Sequence, residues 1–188
     1  MENILIAYNN APNSELHFFF ESCADDAKQF CVDNHHYFET VCPPGLIESN
    51  VTANIQTFSI FFLASHGDSF GIYNENYDDV VTTRTNNYDF VGKTLYAVSC
   101  LCAEKLMPEL KRNGLDTFVG YDDQLRIVES EPMFRESAME GLKAILEGAD
   151  KACARRRMYD KYTECINKAE NDDIKMYLLH NREHLCFE

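Results

Sequence analysis

Residues 58–65 (FSIFFLAS) carry five consecutive apolar side chains, Ile60, Phe61, Phe62, Leu63 and Ala64. Side chains alternate across a strand, so a run with no polar side has to be covered on both faces. Polar residues bound the run, which is too short for an ordinary helix. Residues 93–99 (KTLYAVS) repeat the pattern with Leu95, Tyr96, Ala97 and Val98. Strands of this kind belong in a largely parallel sheet sandwiched between helices. They also end in reactive residues: the first runs into Ser65-His66-Gly67-Asp68 and the second into Ser99-Cys100. Ligands of such sheets bind beyond the carboxyl ends of the strands. If the two strands are parallel neighbours, an imidazole and a thiol emerge on one edge, the minimum equipment for covalent acyl transfer.

The rest of the chain alternates strand and helix. Residues 3–8 form an apolar run and the expected first strand. Asn13 or Ser14 is placed to cap a helix over residues 15–33, where Leu16, Phe19, Phe20, Cys23, Ala27, Phe30 and Cys31 recur at helical spacing. Residues 36–42 read as a second strand stopped by Pro43-Pro44-Gly45, and residues 46–56 as a shorter helix. The polar segment 68–90 holds two short runs, 70–73 and 80–83, that suit a hairpin over the active edge. A helix is expected over residues 103–113, with Pro108 imposing a kink or a late start and Gly114 closing it. Residues 117–121 form a fifth strand, and 124–128 an antiparallel extension. Pro132 opens a helix through Leu146 that Gly148 ends. Residues 150–185 are helical by pattern, with a break near Asn171-Asp172-Asp173. The expected architecture is a three-layer α/β fold with a mostly parallel central sheet, right-handed crossovers and a C-terminal helical extension. It forms one domain, with a core over residues 1–148 and helices over 149–188.

The strand ending in His66-Gly67 and the later strand ending in Ser99-Cys100 resemble the caspase-like (clan CD) cysteine peptidases. The block of residues 116–123 (DTFVGYDD) is similar to the strand after the nucleophile in CHAT and separase-like domains. The three blocks together span residues 58–148. The resemblance implies a caspase-like fold and a cysteine endopeptidase in which Cys100 is the nucleophile. By the same resemblance His66 protonates the leaving amine, and the amides of Gly67 and Cys100 hold the oxyanion. A free cysteine is only a few per cent thiolate at neutral pH, so a nearby imidazolium or the N-terminus of the following helix is expected to lower the Cys100 pKa. Acidic residues in the S1 pocket of relatives accept Arg or Lys. Asp122 and Asp123 are the candidates here, with Asp68 as the rival, and a basic P1 residue is expected. Leu101-Cys102-Ala103 departs from the small residues that follow the nucleophile in many relatives. The family context implies a specific protein substrate, an activating partner protein and a defence or cell-death pathway. The alternative is a catalytically silent or latent module that binds a partner.

Composition narrows the field further. A net charge of −14 argues against nucleic acid, whose binding depends on Lys and Arg. Arg155-Arg156-Arg157 reads as a solvated helix face. No apolar run approaches the roughly 20 residues needed to cross a bilayer, and residues 1–8 do not read as a secretory leader. The expected compartment is therefore the cytoplasm, where the eight cysteines stay reduced. Neither Cys31, His35, His36 and Cys42 nor His180, His184 and Cys186 have paired-cysteine zinc spacing. There is no GxGxxG after the first strand and no P-loop. No cofactor or metal is expected.

Overall fold

A computed structural model describes residues 2–188; Met1, the first residue of the expected single domain, lies outside the described residues. The elements follow in the order β1 (Asn3–Tyr8), α1 (His17–Asp33), β2 (Tyr37–Val41), α2 (Glu48–Ala53), β3 (Ile60–Ala64), β4 (His66–Asp68), β5 (Gly71–Tyr73), β6 (Asp79–Thr82) and β7 (Thr94–Val98). The chain continues through α3 (Leu106–Arg112), β8 (Thr117–Tyr121), α4 (Pro132–Leu146), α5 (Lys151–Lys168), α6 (Asp172–Glu183) and β9 (Leu185–Phe187). The main sheet has the order β2-β1-β3-β7-β8-β9. Its first five strands are parallel, and β9 runs antiparallel to β8.

Strand alternation divides the core in two, as the unbroken apolar runs require. Ile60, Phe62, Ala64, Tyr96, Val98, Val119 and Tyr121 pack with α1, α4 and α5. Phe61, Leu63, Leu95, Ala97 and Phe118 pack on the other side with Val51, Ile72, Val80, Val81, Leu106 and Leu110. The sheet is thus covered on both faces, the three-layer α/β arrangement expected from the sequence. Among the described residues, no helix is long and apolar enough to cross a membrane.

Four local expectations are corrected. Ser14 does not cap α1; the residue at its N-cap is Leu16, in the left-handed region at φ 61°, with no side-chain cap bond. The hairpin β5–β6 is not simply a cover over the active edge. It joins β4 in a separate three-stranded sheet whose Ile72, Val80 and Val81 are fully buried core. Residues 124–128 form no strand; Asn181 instead pairs with the Arg126 backbone, Oδ1 accepting from its N–H at 2.9 Å and Nδ2 donating to its carbonyl at 2.9 Å. The C-terminal region is not helical throughout, because β9 returns to the sheet edge. There Leu185 and Phe187 join the core shared by α1, α4 and α5. The break between α5 and α6 falls where expected, with Asn171 Oδ1 accepting from the Asp173 and Ile174 amides.

Candidate active site

The parallel register of β3 and β7 pairs Ala64 with Val98, so both chains leave the sheet together. The Ser65 amide donates to the Val98 carbonyl at 3.3 Å, and Ser99 Oγ donates to the Ser65 carbonyl at 2.8 Å. These bonds extend the pairing past the sheet and pin His66-Gly67 against Ser99-Cys100. A Cβ on Gly67 would lie 2.6 Å from the Cys100 carbonyl oxygen, 3.0 Å from Ser99 Cβ and 3.3 Å from the Cys100 nitrogen. Only glycine permits that approach. The two expected catalytic residues therefore sit on backbones in direct contact at the carboxyl edge of the sheet.

His66 opens β4, and Phe20 packs edge-on against its ring with centroids 5.5 Å apart. Its Nε2 meets Ser14 Oγ at 2.6 Å, while Ser14 Oγ also donates to the Glu15 carbonyl at 3.1 Å. Nε2 is thus engaged by Ser14, whichever of the two carries the proton, and Nδ1 is the ring nitrogen left to act. Burial lowers the His66 pKa below its ordinary value, against the opposing pull of Glu15 and Glu75. Ser14 is the residue that sequence reasoning missed. A serine just before a helical stripe looks like a cap, and no pattern links it to a histidine 52 residues away.

Cys100 is half-buried beyond the end of β7. Its Sγ accepts from the Leu125 amide at 3.3 Å. Burial raises its pKa; the Leu125 N–H opposes that rise and Asp123 adds to it. This differs from the expected activated thiolate, and the reason is local. The helix α3 begins only at Leu106, so its N-terminus is not at the thiol. The intervening chain turns through Leu101 at φ 58°, a strained conformation for a non-glycine residue. That turn is held by the Leu101 amide on the Asp123 carbonyl at 3.1 Å and the Ala103 amide on the Tyr121 carbonyl at 2.9 Å. Among the described residues, the Cys100 amide donates to no protein acceptor. Cys102 is fully buried and its thiol is pushed up to about 12, chiefly by that burial, which removes it as a competing nucleophile.

The three expected S1 carboxylates are differently engaged. Asp68 Oδ1 accepts from the Phe70 and Gly71 amides at 2.7 and 3.0 Å and from Tyr73 Oη at 3.1 Å, stabilising the β4–β5 turn. Asp122 Oδ1 pairs with His184 Nδ1 at 2.8 Å. Asp123 Oδ2 faces His184 Nε2 at 3.6 Å and His180 Nε2 at 3.8 Å. A hollow of about 240 Å³ opens beside His66 instead, lined by Asn13, Ser14, Glu15, His66, Glu75 and Tyr77. Glu75 Oε2 is buried there without a hydrogen-bond partner.

Burial thus favours the neutral form of both the thiol and the imidazole over a preformed ion pair.

No family model matches the chain, and no curated protein matches it in sequence. Among solved structures it is similar to gingipain R, an Arg-specific cysteine proteinase, with a TM-score of 0.66 and 11% identity over 93% of this chain and 44% of that one. It is also similar to the complex of the pro- and mature domains of Porphyromonas gingivalis RgpB, with a TM-score of 0.63 and 12% identity over 93% of this chain and 44% of that one. The chain thus spans less than half the length of either relative. At such identities the likeness shows the fold: a mostly parallel six-stranded sheet between helices, in the caspase-like arrangement of the gingipain.

Proposed function

We propose that this chain is a cysteine endopeptidase of the caspase-like kind that cleaves a protein substrate after Arg or Lys. The observation that carries the reading is the contact of the Gly67 backbone with Cys100 at the shared carboxyl edge of β3 and β7. The fold shared with an Arg-specific cysteine proteinase supports it. Within the caspase-like group, we place the chain nearest the CHAT and separase-like domains on the likeness of residues 116–123, which contain β8.

The chemistry follows from the residues. Cys100 Sγ attacks the scissile carbonyl carbon while its proton passes to His66. The amides of Gly67 and Cys100 hold the oxyanion; removing one such donor typically costs about 2.7–4 kcal/mol of transition-state stabilisation. His66 then gives the proton to the departing amine and the C–N bond breaks, leaving a thioester. Water, deprotonated by His66, cleaves the thioester and restores the thiol. We assign P1 recognition to Glu15 and Glu75, which line the hollow beside the histidine, since a carboxylate facing a guanidinium is a strong, directional contact. Asp122, Asp123 and Asp68, named for this role on sequence grounds, are the second set. Glu15→Gln with Glu75→Gln against Asp122→Asn with Asp123→Asn separates the two sets by which pair loses hydrolysis of Arg substrates.

One observation favours a latent form of the same enzyme. Ser14 engages His66 Nε2 at 2.6 Å and holds the ring toward the N-terminal loop. An activating partner would act by moving the Ser14 loop or the segment that bonds Cys100. The test is a fluorogenic panel with Arg, Lys, Asp, Asn or Leu at P1. Hydrolysis confined to Arg and Lys and lost in Cys100→Ala is the expected result; hydrolysis that survives Cys100→Ala overturns the mechanism.

A further inference from the structure

At the carboxyl end of β8, the segment of residues 122–125 meets the last turn of α6. His180 in the last turn of α6 and His184 at its C-cap lie four residues apart, with ring centroids 4.5 Å apart. Asp123 stands opposite, and one donor atom from each of the three residues lies within 4.8 Å of the others. His184 Nδ1 pairs with Asp122 Oδ1 at 2.8 Å, which leaves Nε2 as the nitrogen placed to ligate. That nitrogen faces Asp123 Oδ2 at 3.6 Å, too far for a hydrogen bond. His180 Nε2 faces the same oxygen at 3.8 Å and the Gln124 carbonyl at 3.0 Å. Two imidazole nitrogens thus converge on one carboxylate oxygen across gaps too long for hydrogen bonds, a convergence of donor atoms that a metal ion would fill.

We propose that His180, His184 and Asp123 bind a divalent first-row transition metal of the zinc type, with Asp122 orienting His184. Bonds of about 2.0–2.1 Å in a tetrahedral sphere separate neighbouring donors by about 3.4 Å, and the spacings of 3.0, 3.6 and 3.8 Å bracket that value. The Asp122–His184 pair is the carboxylate–histidine–metal relay that fixes the tautomer of a ligating imidazole. A bound metal would take His180 through Nε2, with the Gln124 carbonyl 3.0 Å from that nitrogen as a fourth donor. Imidazole and carboxylate donors suit zinc, cobalt or nickel better than calcium or magnesium. Cys186 lies outside this cluster of donor atoms. The ligand set therefore differs from the His180, His184 and Cys186 combination set aside on its sequence spacing. The same segment carries the Leu125 amide on Cys100 Sγ, so a bound metal stiffens one wall of the thiol's surroundings.

The proposal is independent of peptidase activity, and its test reads the metal directly. The full chain, stripped by chelator, is titrated with Co(II) and followed by ligand-field absorption, then challenged with Zn(II). The expected result is one Co(II) per chain, displaced by Zn(II), with no sulfur-to-cobalt charge-transfer band. Binding is lost in His180→Ala and in His184→Ala, and weakened about 10- to 100-fold in Asp122→Asn. Asp123→Asn, which keeps the shape of the side chain, loses affinity with the fold intact by circular dichroism. Absence of saturable binding, a thiolate band, or binding unchanged in both histidine variants overturns the proposal.

Discussion

Gly67→Ala tests the backbone contact on which the active-site reading depends. The added Cβ meets the Cys100 carbonyl oxygen at 2.6 Å and Ser99 Cβ at 3.0 Å. The nearer neighbour is backbone, so relief requires the chain at Ser99 and Cys100 to move. Gly67 does not occupy the left-handed region, and the cost is therefore steric. Overpacking of this kind costs about 1–3 kcal/mol. For a chain of this size each kcal/mol lowers Tm by about 2–4 °C, so a fall of about 2–12 °C is expected. A displacement of the nucleophile near 1 Å costs about 10²-fold in rate, and turnover should fall by that order. Thermal unfolding and hydrolysis of an arginyl substrate measure the two effects, and iodoacetamide modification of Cys100, quantified by peptide mass spectrometry, reads the displaced thiol directly. Gly92→Ala serves as the control. Its φ of 69° makes alanine strained, yet nothing lies within 4 Å of the added Cβ, so it lowers Tm and leaves Cys100 modification unchanged. A Gly67→Ala protein with unaltered Tm and unaltered Cys100 reactivity would refute the contact.

Ser14→Ala removes the partner of His66 Nε2. It should cost about 0.5–1.5 kcal/mol in urea unfolding and shift the pH profile of Cys100 alkylation, whereas a merely structural Ser14 would leave that profile in place. Because burial puts the folded-state pKa of His66 below its unfolded value, protonation favours the unfolded chain. Its contribution to stability is complete above about pH 6.5 and declines as pH falls through the folded-state pKa; His66→Gln should flatten that part of the Tm profile. The buried hydroxyls of Tyr121 and Tyr162 bond each other at 2.8 Å. Tyr121→Phe orphans the second hydroxyl and should cost about 1–3 kcal/mol, and adding Tyr162→Phe should cost less than the sum of the single changes. Persistent additivity in denaturant titrations would contradict that pairing.

The unbroken apolar runs at β3 and β7 made the covered parallel sheet legible, because only a sheet buried on both faces uses such strands. The span of α4 and the α5–α6 break were equally readable from Pro132, Gly148 and Asn171, whose conformational preferences are local. What stayed hidden depended on contacts distant in sequence. The segment Leu185–Phe187 is too short to declare itself a strand, and it becomes one only because β8 offers an open edge. Residues 124–128 have strand-like composition, yet Asn181 on α6 claims the Arg126 backbone. His66 and Cys100 were readable as candidates because each follows a recognisable strand. Ser14, Glu15 and Glu75 reach the histidine through loops, whose sequence carries no periodic signal, and Asp123 meets His180 and His184 only once α6 has folded back.

Labelling by a peptidyl-arginine chloromethyl ketone tests the central claim most directly, with the eight cysteines of the chain as internal controls. Peptide mapping should place the label on Cys100, at a rate well above that of any other cysteine, and His66→Ala should abolish the preference. Equal labelling of several cysteines, or Cys100 labelling undiminished in His66→Ala, would contradict a His66–Cys100 peptidase.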